Sequence, residues 1–221
     1  MILTAVRASI YHPCVLIRGP PGTGKTFASM GELASMTEED LYRGCIAEMR
    51  GEWITGLQVV VAAATNNAVD ESLEAFLKSF KTLVEARKMH LNRKLSMDTP
   101  LLERVIARYA EQTRVPCVHR VGADVKKEHL CYHLSYVKSE KNPRKMDKKR
   151  EISEFCPLVI FTTVGQLSIE PAERWNTTFY HLQGWADVVM GDEASLNTKE
   201  EDIRLLLLSK DGWAILTGDP K

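Results

Sequence analysis

Gly19-Pro20-Pro21-Gly22-Thr23-Gly24-Lys25-Thr26 fits the pattern G-x-x-x-x-G-K-[ST] without a mismatch, and its reading decides the fold. Glycines let the backbone curl until several N–H groups point at one anion, and a following helix adds its positive N-terminal dipole. In such a loop Lys25 reaches the β- and γ-phosphates and the Thr26 hydroxyl helps to hold Mg²⁺. The flanks agree with that role. Cys14-Val15-Leu16-Ile17 reads as a buried strand before the loop, and Phe27 to Leu33 reads as a helix after it.

Working outward, 221 residues with 44% hydrophobic content suffice for one substantial core with a smaller appended unit. No apolar run approaches the roughly 18 residues of a membrane helix, and the first residues lack the features of a secretory signal. The five scattered cysteines, Cys14, Cys45, Cys117, Cys131 and Cys156, point to free thiols in a reducing compartment, hence to an intracellular protein, cytoplasmic or nuclear. Cys117, His119, His129, Cys131 and His133 form the one grouping with zinc-binding residue types. Their spacing departs from finger and ribbon patterns, so ordinary buried and surface roles are expected.

The net charge of zero conceals an asymmetry. Residues 78–150 hold 19 Lys and Arg against 8 Asp and Glu, an excess of +11, and the remainder of the chain is equally acidic. A segment of this kind is commonly a solvated helical surface. On a nucleotide-binding scaffold it is also the footprint expected for a phosphate backbone.

In chain order, Met1 to Tyr11 reads as a short helix. Gly31 to Gly56 reads as a polar connection with helix from Glu38 to Arg50, and Thr37 and Asp40 are compatible with its cap. Gln58 to Ala64 is a Val-rich run suited to a parallel strand buried on both faces. It ends in Thr65-Asn66, which reads either as a helix cap or as a ligand-holding strand end, and an amphipathic helix through Phe76, Phe80 and Leu83 follows. Helical, basic sequence runs from Glu85 to Gln112 with a break at Asp98-Thr99-Pro100, and Val115 to Val121 reads as an edge strand. Val125 to Arg150 is a charged helical excursion broken at Asn142-Pro143. Leu158 to Phe161, Trp185 to Met190 and Trp213 to Thr217 read as further strands, with a helix through Ile203 to Leu208. Alternating strands and helices predict an α/β fold, a parallel sheet with helices on both faces.

A phosphate loop needs a second acidic element to hold Mg²⁺ and orient water. Asp192-Glu193 follows an apolar strand, which places Asp192 at a carboxyl end facing the phosphates with Glu193 beside it to polarise the attacking water.

Five elements in order resemble superfamily 1 helicases, in the branch that includes the helicase of nonsense-mediated RNA decay, senataxin and the immunoglobulin-mu-binding helicase. Gly19 to Thr26 resembles motif I, Ala62 to Asp70 motif Ia, Phe161-Thr162-Thr163 motif Ic, Asp192-Glu193-Ala194-Ser195 motif II, and Leu216 to Lys221 the start of motif III. The resemblance implies a P-loop, RecA-like first motor domain formed by residues 1–77 and 151–221, with 78–150 as an inserted basic helical subdomain. It implies ATP held by Gly19, Pro20, Pro21, Gly22, Thr23, Gly24, Lys25, Thr26 and Asp219, with Mg²⁺ on Thr26 and Asp192. Lys25 and Glu193 take the catalytic roles, and single-stranded RNA or DNA lies on Thr65, Asn66, Thr162 and Thr163.

Four departures mark the chain. Ile2 stands where the family carries an adenine-reading glutamine, and Leu196 stands where motif II continues with glutamine. The sequence ends before the glutamine that completes motif III, and a second RecA-like domain with its transition-state arginines is absent from it. An arginine finger contributes roughly 10³–10⁵ in rate, so this chain alone is expected to bind ATP and hydrolyse it slowly. The competing expectations are a nucleic-acid- or partner-binding module without turnover and a hexameric ATPase of the large AAA class.

Overall fold

The computed structural model describes residues 14–52, 54–94, 100–113, 118–122, 126–132, 158–167 and 184–219. The expected helix at Met1 to Tyr11, Ile2, Pro116, Cys117, the Asn142-Pro143 break and the dense basic cluster up to Arg150 lie outside them.

The Val-rich run forms the strand β2 (Gln58–Ala63), and its alternate residues feed two different cores. Val59, Val61 and Ala63 pack with Leu33, Leu73, Phe76 and Phe161 on one face. Val60 and Ala62 pack with Val189, Leu205 and Ala214 on the other. A strand buried on both faces must sit inside a sheet, and β2 lies between β4 (Leu158–Thr163) and β5 (Val188–Asp192), parallel to both. With β1 (Cys14–Arg18), β3 (Val118–Arg120) and β6 (Ala214–Gly218) the six strands run in the order β1-β6-β5-β2-β4-β3, every pairing parallel. The expected α/β architecture is therefore observed, with β3 at an edge as its proline-flanked sequence predicts.

Helices α1 (Lys25–Arg50), α2 (Asn66–Lys94) and α3 (Pro100–Gln112) cover the first face. The short α4 (Val164–Leu167) and α5 (Lys199–Leu206) contribute Val164 and Leu205 to the second. The polar connection expected after Gly31 is instead part of one 26-residue helix. Thr37 does not cap anything: its hydroxyl donates to the Leu33 carbonyl one turn back at 2.8 Å. Asp40 reaches out of the helix and accepts the Leu57 N–H at 2.8 Å, tying α1 to the entry of β2. Polar residues fill this stretch because it carries tertiary contacts. Glu38 is buried and accepts Arg87 Nε at 2.9 Å and the Tyr109 hydroxyl at 2.6 Å, which locks α2 and α3 onto α1.

Two other boundaries move by a few residues. β5 starts later than expected and takes in Gly191 and Asp192. A Cβ at Gly191 would meet Leu216 Cδ2 at 2.8 Å and Leu205 Cδ2 at 3.0 Å, so a larger residue there would displace those two side chains. Helix α5 begins at Lys199 through a reciprocal cap between Thr198 and Glu201.

Of residues 78–150, the described parts share the main core and sheet. Phe80, Val84 and Leu91 of α2 and Val105 and Tyr109 of α3 join the first core, and β3 pairs with β4. No helix among the described residues is long and apolar enough to cross a membrane.

Candidate nucleotide site at the carboxyl edge of the sheet

Because all strands are parallel, their carboxyl ends deliver the loop after β1, Thr65, Thr163, Asp192 and Asp219 to one edge of the sheet. The register is direct: Ala63, two residues before Thr65, faces Thr163 on one neighbour and Asp192 on the other.

The loop from Gly19 turns through Gly22 (φ 74°) and Gly24 (φ 78°), left-handed conformations that glycine adopts without strain. Gly24 caps α1 with no side-chain hydrogen bond, and no acidic residue occupies the first turn of that helix. The first-turn N–H groups of a 26-residue helix thus face the loop with their dipole unneutralised, which fits phosphate. Lys25 Nζ donates to Asp219 Oδ1 at 2.6 Å and to the carbonyls of Gly19 (2.7 Å) and Pro20 (3.0 Å). Thr23 Oγ1 closes the loop on the Pro20 carbonyl at 2.8 Å. Lys25 is largely buried and Asp219 half-exposed, so an anion can approach the ammonium from the Asp219 side.

Asp192 is buried and takes four donors. Thr26 Oγ1 (2.8 Å) and Ser72 Oγ (2.9 Å) reach its Oδ2, while Thr217 Oγ1 (2.5 Å) and the Glu193 N–H (3.1 Å) reach Oδ1. Thr26 and Asp192, the two predicted metal residues, are therefore in contact across 166 positions of sequence. A hydroxyl that donates to a carboxylate keeps its lone pairs for a cation, so this donor set fits a hard divalent ion such as Mg²⁺.

Glu193 adopts φ 54°, the one positive φ outside glycine among the described residues. Its carboxyl pKa is raised, first by burial and then by the neighbouring charges of Asp192, Glu71 and Asp219. A strained backbone and a carboxyl driven toward holding a proton are both features of catalytic positions. Ser195 joins the end of β5 to the end of β6 by accepting the Asp219 N–H at 3.2 Å, and Leu196 beside it is 64% exposed.

The four expected strand contacts separate. Thr65 Oγ1 accepts the Ala68 N–H at 3.2 Å, so Thr65 is a helix cap that is also exposed. Asn66 Oδ1 accepts Arg120 Nη2 at 2.9 Å, which engages its carbonyl oxygen with β3. Thr163 reaches the surface at the end of β4, whereas Thr162 is fully buried and is set apart from the other three.

Residue-by-residue reading overlooked Ser72, Thr217 and the Arg120–Asp70 pair. The signal for Ser72 was a hydroxyl on the apolar face of α2 between Val69 and Phe76, where a buried polar group requires a partner. Of the histidine–cysteine grouping, Cys117 and His133 lie outside the described residues. His129 lies 3.6 Å from Asp70 and 3.5 Å from Glu74. Glu74, Glu128 and His129 bring ligand-type atoms within 4.8 Å of one another, but Glu74 already holds Lys126 Nζ at 2.9 Å.

A family model described as an AAA domain matches residues 2–156, well over half of the chain. No curated protein matches.

Proposed function

The chain belongs to this AAA domain family, the domain of the nonsense-decay and senataxin-like superfamily 1 helicases, and on that premise we propose that it is their ATP-binding first motor domain. As a member it is a helicase-type P-loop NTPase domain. The finer reading is that ATP and Mg²⁺ bind at Gly19 to Thr26 and that nucleotide turnover is coupled to single-stranded RNA or DNA. The observation that carries the nucleotide part of this reading is the 2.8 Å contact between Thr26 Oγ1 and Asp192 Oδ2, which joins the phosphate loop to the acidic strand end.

In this reading the α1 N-terminus and Lys25 neutralise the phosphates, and Thr26 and Asp192 hold the cation. The cation supplies charge stabilisation on the transferring phosphoryl group. Glu193, with its raised pKa, takes a proton from the attacking water. Thr65, Asn66 and Thr163 hold the strand backbone, which carries no base readout. A second RecA-like domain is the partner that supplies transition-state arginine.

A reading without turnover is favoured by one feature, the 64% exposed Leu196 in place of a polar group next to motif II. ATP hydrolysis with and without polyuridine separates the two. We expect weak hydrolysis stimulated by polyuridine. Lys25→Ala should lose nucleotide binding, and Glu193→Gln should keep binding and lose at least about 100-fold in rate, the scale of general base catalysis. Nucleotide binding with no hydrolysis at saturating polyuridine would favour the inactive module.

A further inference from the structure

Ser72 lies on α2 six residues after Asn66 and has no exposed surface. Its hydroxyl donates to Asp192 Oδ2, the oxygen that also takes Thr26 Oγ1. The other oxygen of Asp192 is taken by Thr217 and the Glu193 N–H. Two donors thus reach each oxygen of this carboxylate, and the Ser72 hydroxyl helps to set its orientation.

Ser72 and the strand residues share one rigid element. Thr65 caps α2, Asn66 opens it, and Arg120 clamps that end by donating to both Asn66 and Asp70. Gly122 lets the clamp close: a Cβ there would meet Arg120 Nη1 at 2.9 Å and Asn66 Oδ1 at 3.5 Å. A helix whose first turn is gripped in this way shifts as a body, and Ser72, less than two turns along, shifts with it.

We propose that Ser72 is a positioning residue through which occupancy of the strand site at the start of α2 is felt at the metal-holding carboxylate of Asp192. This rests on the nucleotide and strand sites proposed above and adds the connection between them. The link is a single hydrogen bond from an uncharged hydroxyl, so its removal leaves both sites in place and uncouples them. Coupling of two ligands is reciprocal, which gives two measurements of one quantity.

The test uses the full chain, with Mg·ADP and a uridine oligonucleotide as probes. In the wild type, the oligonucleotide should change the Kd for Mg·ADP by about fivefold or more, and Mg·ADP should change the Kd for the oligonucleotide by the same factor. In Ser72→Ala both factors should fall to within about twofold of one. Alanine fits the space and favours helix, and a melting curve checks folding. A merely structural Ser72 would weaken both affinities together and keep the factor. Ser72→Ala with the wild-type factor overturns the inference. A wild type that binds both probes independently overturns it while leaving the nucleotide site standing, and a wild type that binds no Mg·ADP overturns both.

Discussion

Glu32 is a carboxyl on the buried side of α1, and burial pushes its pKa up to about 7. In the unfolded chain the same group titrates near 4.5, so between the two values the folded protein holds a proton that the unfolded chain has released. Stability from this group is complete below pH 4.5, falls as pH rises toward 7, and is flat above. Glu32→Gln removes the proton to be lost. It should have its smallest effect on the melting temperature near pH 4 and raise it by at least about 2–6 °C at pH 8, since roughly 1 kcal/mol shifts a domain of this size by 2–4 °C. An equal shift at both pH values would refute the assignment. Not all residues of this kind announce themselves in sequence. Lys25, Thr26 and Asp192 were legible because fixed spacing and strand context specify them. Ser72 and Thr217 were not, because a hydroxyl has no pattern of its own until the chain brings a carboxylate to it.

Among the elements, the join between α2 and β3 concentrates charge in the core. Arg120 is 0% and Asp70 2% exposed, and Arg120 Nε donates to Asp70 Oδ1 at 2.9 Å while Nη1 donates to the Val121 carbonyl. Removing one partner of a buried pair leaves the other uncompensated and costs about 3–5 kcal/mol. Arg120→Met should therefore lower unfolding stability in urea by that amount, and adding Asp70→Asn should recover part of it. Strict additivity of the two losses would show that the pair is not coupled. The elements themselves were mostly visible, since β2, β4 and β6 are apolar runs and the loop punctuates β1 from α1. Helix α1 was misread because its polar middle looks like a connection. Glu38 and Asp40 are polar there to reach Arg87, Tyr109 and the start of β2, partners that no local window contains.

For the whole molecule, part of the basic excess of residues 78–150 is engaged inside the fold. Arg87, Arg108, Arg120 and Lys126 are held by Glu38, Glu39, Glu48, Asp70 and Glu74, all outside that segment. Part of the +11 is thus internal, joining α2, α3 and the β3 region to the acidic part of the chain. If all of it faced a single strand, log Kd against log salt would have a slope near 8 at about 0.7 per charge. We expect a slope of about 5 or less for a uridine oligonucleotide titrated across salt concentrations, and a value near 8 would mean that these ion pairs open on binding. Charge counting along the sequence could find the asymmetry but could not divide it. Strand order was equally hidden, because apolar runs specify burial and leave their neighbours unnamed.

The Lys25–Asp219 pair has a consequence for how the site fills and empties. The Lys25 side chain is 12% exposed, and its ammonium is paired with the Asp219 carboxylate. On the proposed nucleotide reading, arrival would be a swap of counter-ions: a phosphate oxygen would take the ammonium and release Asp219. Departure would run the swap backwards, with Asp219 returning as the phosphate leaves. Neither direction would pass through a stripped, desolvated cation, so on that reading the chain's own carboxylate would ease letting go as well as taking hold.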